Sequence, residues 1–213
     1  MPKSKQPGAD QAADAALREA AKPYEFKTAE LETIIRPLRT ASYEVDMEWH
    51  FFDRQIDNIG ADYGGLELNP DFQRGHVWTP SQQQHFIENV LRGVVTSAGF
   101  HIQFNCANWD NDRYAGDLPH GLQCLDGLQR ITAVRDFLAG QVKPFGLSAQ
   151  DLAGSRFSPR RSDYRFRVAI HNFERKADLL AHYLDLNAGG TPHSADELER
   201  VRAMLVAAGG SAA

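Results

Sequence analysis

Cysteine is nearly absent from this chain: Cys106 and Cys124 are the only two in 213 residues. Two thiols build no disulfide framework, and their scarcity points to a reducing compartment. No close Cys/His ligand spacing accompanies them, so a zinc site is not indicated. Long apolar runs are missing as well. No stretch of about 18 apolar residues offers a membrane span, and the N-terminus lacks the apolar core of a secretory signal. A cytoplasmic protein without membrane contact is expected. A basic surplus is also lacking: the net charge is −5 and the pI lies near 5.9, which argues against a protein that coats DNA irrespective of sequence.

Hydrophobic content of 42% beside 24% charged residues suits a globular domain with a core of useful size. The expected organisation is a flexible N-terminal arm over 1–23, one domain over 24–207 and a tail over 208–213. Within the arm, Asp10 to Ala21 suits a frayed helix ended by Pro23.

Strand and helix signals interleave. In "YEVDMEWHF", Tyr43, Val45, Met47, Trp49 and Phe51 alternate with polar residues, the period of a half-buried strand. A short helical or irregular piece is expected from about Asp53 to Ile59, then a brief strand after Gly64-Gly65. Thr79-Pro80 opens a helix with Thr as N-cap and Pro at the first helical position, and Gly93 closes it. "GFHIQFN" alternates again, the polar loop 106–120 follows, and "GLQCL" reads as a buried strand. Ile131, Val134, Phe137 and Leu138 make the next segment an amphipathic helix. In "YRFRVAIHNF", Tyr164, Phe166, Val168 and Ile170 share one face, with Arg165, Arg167 and His171 on the other. A helix near Lys176 to Leu186 precedes a last one, Ala195 to Ala207, opened by a Ser194/Glu197 capping box. The class is α/β or α+β with a mixed sheet.

Polar chemistry gathers at the corner "CLDGLQRITAV". A helix N-terminus presents open N–H groups and partial positive charge, Gly127 allows close backbone approach, and Arg130 forks two hydrogen bonds onto one phosphate. Asp126 suits a Mg²⁺ ligand, an orienter of Arg130 or a helix cap. "NPDFQRGHVWTP" sets Gln73 and Arg74 before another helix start, with Trp78 as a core residue or a base-stacking one. Glu88 is a solvated glutamate or a metal-organising one, and "LNAGGTPHS" is a tight polar turn containing Asn187 and Gly190. Arg156, Arg160, Arg161, Arg165 and Arg167 form a solvated edge or a phosphate-contacting patch.

In that order, "NPDFQRGHVW", "LDGLQRITAV" and "LNAGGTPHSADEL" resemble the N-terminal domain family of GmrSD-type restriction systems, over about Val45 to Leu198. That family looks like a branch of the ParB/sulfiredoxin-like superfamily, and "GLQRITA" is similar to the ParB-type phosphate-holding box. The wording "FQRGHVW" looks most like short stand-alone members carried by bacteriophages.

The resemblance implies a ParB/sulfiredoxin-like mixed sheet flanked by helices, with a C-terminal helical part. It implies NTP binding and hydrolysis with Mg²⁺, control of a nuclease, and a bacterial or phage-infected cell. Asp126, Gln129, Arg130 and Gln73 would carry catalysis. Arg74, Gly127, Arg130, Ile131, Thr132, Asn187 and Gly190 would hold the nucleotide, and Asp126 with Glu88 would hold the metal. Arg160, Arg161, Arg165 and Arg167 would touch DNA. Leu128 replaces a commoner Gln of the motif, and the chain ends before the His-Asn-His nuclease domain of the longer proteins.

The leading expectation is therefore an NTP-hydrolysing domain in DNA metabolism, restriction or phage–host conflict, with a separate nuclease or other subunit as partner, and with homodimerisation left open. Two alternatives share the pocket: a phosphotransferase acting on a small molecule or modified base, and a non-catalytic nucleotide- or DNA-binding regulator.

Overall fold

The computed structural model describes residues 27–73, 75–95, 101–187 and 195–211. The expected arm at 1–23, Arg74, Gly190 and the Ser194 cap lie outside them. The chain divides into two compact units, Met1–Arg39 and Thr40–Ala213. In the first, helix α1 covers 27–35.

The second unit is built on a five-stranded mixed sheet in the order β1-β5-β3-β4-β2. Its strands are β1 (Tyr43–Glu48), β2 (Leu66–Glu67), β3 (His101–Cys106), β4 (Leu122–Asp126) and β5 (Arg165–His171). β5 lies antiparallel to β1 and parallel to β3. β4 lies antiparallel to β3 and parallel to β2. The helices are α2 (Trp49–Tyr63), α3 (Pro80–Leu91), α4 (Leu128–Leu138), α5 (Lys176–Asn187) and α6 (Ala195–Ala207). A mixed α/β architecture is what the interleaved patterns call for.

Two cores result. Phe104, Cys124, Phe166 and Val168 of the sheet pack with Phe52, Ile56, Ile87, Ile131 and Phe137 of α2, α3 and α4. A second core joins Leu125, Phe72 and Tyr114 to Leu179, Leu180 and Tyr183 of α5 and Val201 and Leu205 of α6. Alternation along β4 divides neighbours between the cores, with Cys124 in the first and Leu125 in the second.

Two local expectations are corrected. The strand expected over Tyr43–Phe51 ends at Glu48, and α2 begins at Trp49 rather than near Asp53. The residues α2 buries are Trp49, Phe52, Ile56 and Gly60, a helical spacing hidden in the tail of the period-two pattern. Phe51, the last residue of the apparent alternation, is exposed. His171 does not share an open face with Arg165 and Arg167. It is buried, because α5 covers that end of the sheet and brings the His182 ring within 4.7 Å of it.

The α3 start matches its sequence signature. Thr79 and Gln82 form a reciprocal capping box with Pro80 at the first position. The helix then packs on α4, where the buried Gln83 donates 2.7 Å to Asp136 Oδ2.

Candidate functional site

The corner between β4 and α4 is shaped by an irregular ladder. Phe104 opposes Cys124, but Gln103 opposes Asp126, so Leu125 is the extra residue of a β-bulge. Bulges leave the added residue unpaired and bend the strand, often beside functional sites. Gln73 meets that need. Its Nε2 donates to the Cys124 carbonyl at 2.9 Å and to the Leu125 carbonyl at 2.7 Å.

After the bulge, Gly127 takes φ 110° as the N-cap of α4. A Cβ there would lie 2.5 Å from Ile102 Cδ1 and 3.2 Å from the Ile102 Cα. Glycine is thus demanded both by backbone conformation and by the passage of β3. Leu128, where the resembled motif more often has Gln, turns into the first core, away from the corner.

Asp126 is not the N-cap of α4; that position is Gly127, which makes no side-chain cap hydrogen bond. It instead pairs with Arg130 one turn on, with Oδ2 2.5 Å from NH2. The same NH2 donates 2.8 Å to the His101 carbonyl at the start of β3. Arg130 is thereby held from two sides, and its buried Nε finds no partner among the described residues. The side chains of Arg130 and Asp126 stay 24% and 37% exposed, so the pair reaches solvent.

Gln129 is committed to the neighbouring loop. Its Oε1 accepts from the Val77 and Trp78 N–H groups at 2.9 and 3.0 Å, and its Nε2 donates to the Gly75 carbonyl at 2.6 Å. Trp78 packs against Phe86 and the first core. Ile131 is buried and its N–H bonds Gly127 O, while Thr132 Oγ1 donates back to Leu128 O. Asn187, at the end of α5, donates 2.8 Å to Tyr183 O.

Glu88 stands apart from this constellation. It accepts from Gln84 Nε2 at 2.8 Å and from Phe145 N at 3.1 Å, and these bonds hold its carboxyl below the ordinary range. It braces the turn at Phe145, a non-glycine residue at φ 53°. Among the described residues no group of three or more His, Cys, Asp or Glu side chains is arranged to hold a metal ion.

One contributor escaped sequence reasoning. Arg200 of α6 reaches the backbone carbonyls of Asp71, Phe72 and Gln73, fixing the loop that presents Gln73. An exposed arginine on an amphipathic helix carries no local signal of such a role.

The arginine cluster is largely neutralised. Arg165 lies 3.2 Å from Asp46, and Arg167 lies 3.5 Å from Asp46 and 4.0 Å from Glu44, across the β1–β5 pair. Arg161 pairs with Asp163 at 3.3 Å, and Arg156 stacks over Phe157.

A family model described as the N-terminal domain of the GmrSD restriction endonuclease matches residues 50–202. The chain belongs to that family. The match spans α2 through most of α6, so it takes in the bulge, the corner and Arg200. Comparison with curated proteins and with solved structures finds no match. Among the described residues of this GmrSD N-terminal domain, no helix is long and apolar enough to cross a membrane.

Proposed function

We propose that this GmrSD N-terminal domain binds a nucleoside triphosphate at the β4–α4 corner and hydrolyses it with Mg²⁺, in restriction or phage–host conflict. The observation that carries the reading is Arg130, anchored by Asp126 and the His101 carbonyl with its Nε still unspent among the described residues. A buried guanidinium N–H without an acceptor suits a bound anion, and the first turn of α4 adds N–H groups with no carbonyl one turn back.

In this reading Arg130 and Arg74 hold phosphate oxygens against the Gly127–Ile131 backbone. Thr132 follows in α4, and Asn187 and Gly190 would join the nucleotide contacts as the family resemblance implies. Asp126 orients Arg130 and offers its second carboxylate oxygen to Mg²⁺, which commonly takes one or two carboxylates together with substrate phosphates. When bound, the ion supplies neutralisation of phosphate charge. Glu88, spent on Phe145 and Gln84, has no part in it. DNA and a nuclease subunit are the partners this reading calls for.

A second reading is favoured by the two glutamines. Gln73 and Gln129 spend their amides on backbone groups, which leaves neither poised to position an attacking water. A nucleotide at the corner would then act as a switch, felt by the 75–78 loop through Gln129, without turnover.

The test is thermal stabilisation by each NTP with and without Mg²⁺, paired with phosphate release. Stabilisation and release that both vanish in Arg130→Ala support hydrolysis. Stabilisation without release supports the switch. No stabilisation by any NTP overturns both.

A further inference from the structure

At the far end of α4 from Arg130 lies a cavity of about 560 Å³, within the range of small-molecule sites. Its walls come from the end of α4, the 143–153 segment and the 158–160 turn. Alanine and glycine, including Gly140, Ala149 and Ala153, leave it open, while Ser158 and Pro159 are buried at its border.

Its charge is of one sign. Lys143 and Arg160 enter from different segments, and no carboxylate among the described residues lines it. This contrasts with the chain's net charge of −5. It also sets Arg160 apart from the other arginines of its cluster, which are met by Asp163, Asp46 and Glu44 or stacked on Phe157. Two carboxylates lie near its lining and both are engaged: Asp151 accepts from the Ser148 N–H and hydroxyl at 2.8 and 2.7 Å, and Glu48 lies 3.6 Å from His50 Nε2. The end of α4 contributes about half a negative charge, which two full cations outweigh. His50 also lines the cavity, and its buried Nδ1 has no partner among the described residues.

From these features we infer that the cavity is a second anion site, taking a phosphate-bearing ligand of mononucleotide size held by Lys143 and Arg160, with His50 also in its lining. α4 has 11 residues, so at a rise of about 1.5 Å each the site lies roughly 16 Å from the corner. It is separate from the triphosphate site and does not depend on it.

The phosphate has two possible sources, a free phosphomonoester or a nucleic-acid backbone. The isotope-labelled full chain is titrated with inorganic phosphate, a nucleoside 5′-monophosphate and a short single-stranded DNA, and the amide resonances of Lys143, Ala149, Ser158 and Arg160 are followed. The expected result is saturable shifts at these residues that persist in Arg130→Ala. Lys143→Ala or Arg160→Ala should each weaken binding about tenfold or more, with an unchanged melting temperature because both side chains are exposed. Ala153→Glu, which keeps both cations and adds a carboxylate, should also abolish binding. A response to the monophosphate identifies a free ligand, and a response to DNA alone identifies a backbone phosphate. No shift with any of the three probes, or shifts that survive the Lys143→Ala/Arg160→Ala double variant, overturns the inference.

Discussion

Gln73 and Leu125 stand 52 positions apart, yet the Gln73 amide donates a 2.7 Å hydrogen bond to the Leu125 carbonyl and a second to Cys124. The amide occupies carbonyls at the bulge, one residue before the Asp126 carboxylate begins its pairing with Arg130. The loop bearing Gln73 is held in turn by Arg200. A chain of polar contacts therefore runs from α6 through the bulge to the corner.

Gln73→Ala removes the donor for both carbonyls, and a buried unsatisfied acceptor costs about 1–3 kcal/mol. Urea unfolding should show a loss within that range, and any corner-dependent NTP stabilisation should fall with it. Gln73→Glu should be worse, since it turns a carboxylate toward the same carbonyls.

Gly127→Ala meets two obstacles, a φ of 110° and the Ile102 Cδ1 at 2.5 Å from the new Cβ. Left-handed strain and overpacking should each cost about 1–3 kcal/mol. Ile102→Val removes that methyl but leaves the Ile102 Cα at 3.2 Å. The double variant should recover part of the loss, a coupling measurable by a double-mutant unfolding cycle.

Gln129→Ala frees the Val77 and Trp78 N–H groups and the Gly75 carbonyl together. Trp78 emission should shift toward that of an exposed indole, and limited proteolysis should cut near 75–78 sooner than in the parent. Gln129→Glu keeps the two accepted bonds but sets a carboxylate oxygen against the Gly75 carbonyl, so its proteolysis should be intermediate.

Burial pushes the Cys106 thiol up to about 11 and the Cys124 thiol up to about 12. Both stay protonated when folded, so alkylation at neutral pH should be slow until the chain unfolds. The folded state then binds more protons than the unfolded state above the unperturbed thiol value of 9.0. The stability from keeping these thiols neutral is full below that pH and is lost as pH rises past it. Between pH 9 and 11 the loss should approach about 1.4 kcal/mol per unit for each thiol. Cys124→Ser or Cys106→Ala should flatten the alkaline slope measured by denaturant unfolding.

Local chemistry was legible wherever its partner lay a few residues away. The Thr79 N-cap with Pro80 at the first helical position, the Gly93 stop, the alternation of Phe166, Val168 and Ile170 and the buried strand before Asp126 all depend on backbone geometry within one element. Sequence reading went astray at Trp49, where period two and a helical stripe share residues, and at His171, whose burial depends on α5 arriving over the sheet.

The candidate site divides along the same line. Asp126, Gly127 and Arg130 are set by sequence, because a strand-to-helix corner with an i,i+4 ion pair needs only adjacent residues. The three spaced motifs likewise carry the family membership. Tertiary structure alone decided that the His101 carbonyl holds Arg130 from a second side, that Gln73 and Gln129 brace backbone, that Arg200 holds the loop, and that Arg160 lines the same cavity as Lys143. Each of these outcomes depends on which carbonyl, carboxylate or cavity the fold brings up from tens of residues away. A side chain's hydrogen-bonding capacity is written in its chemistry, but its partner is chosen by packing.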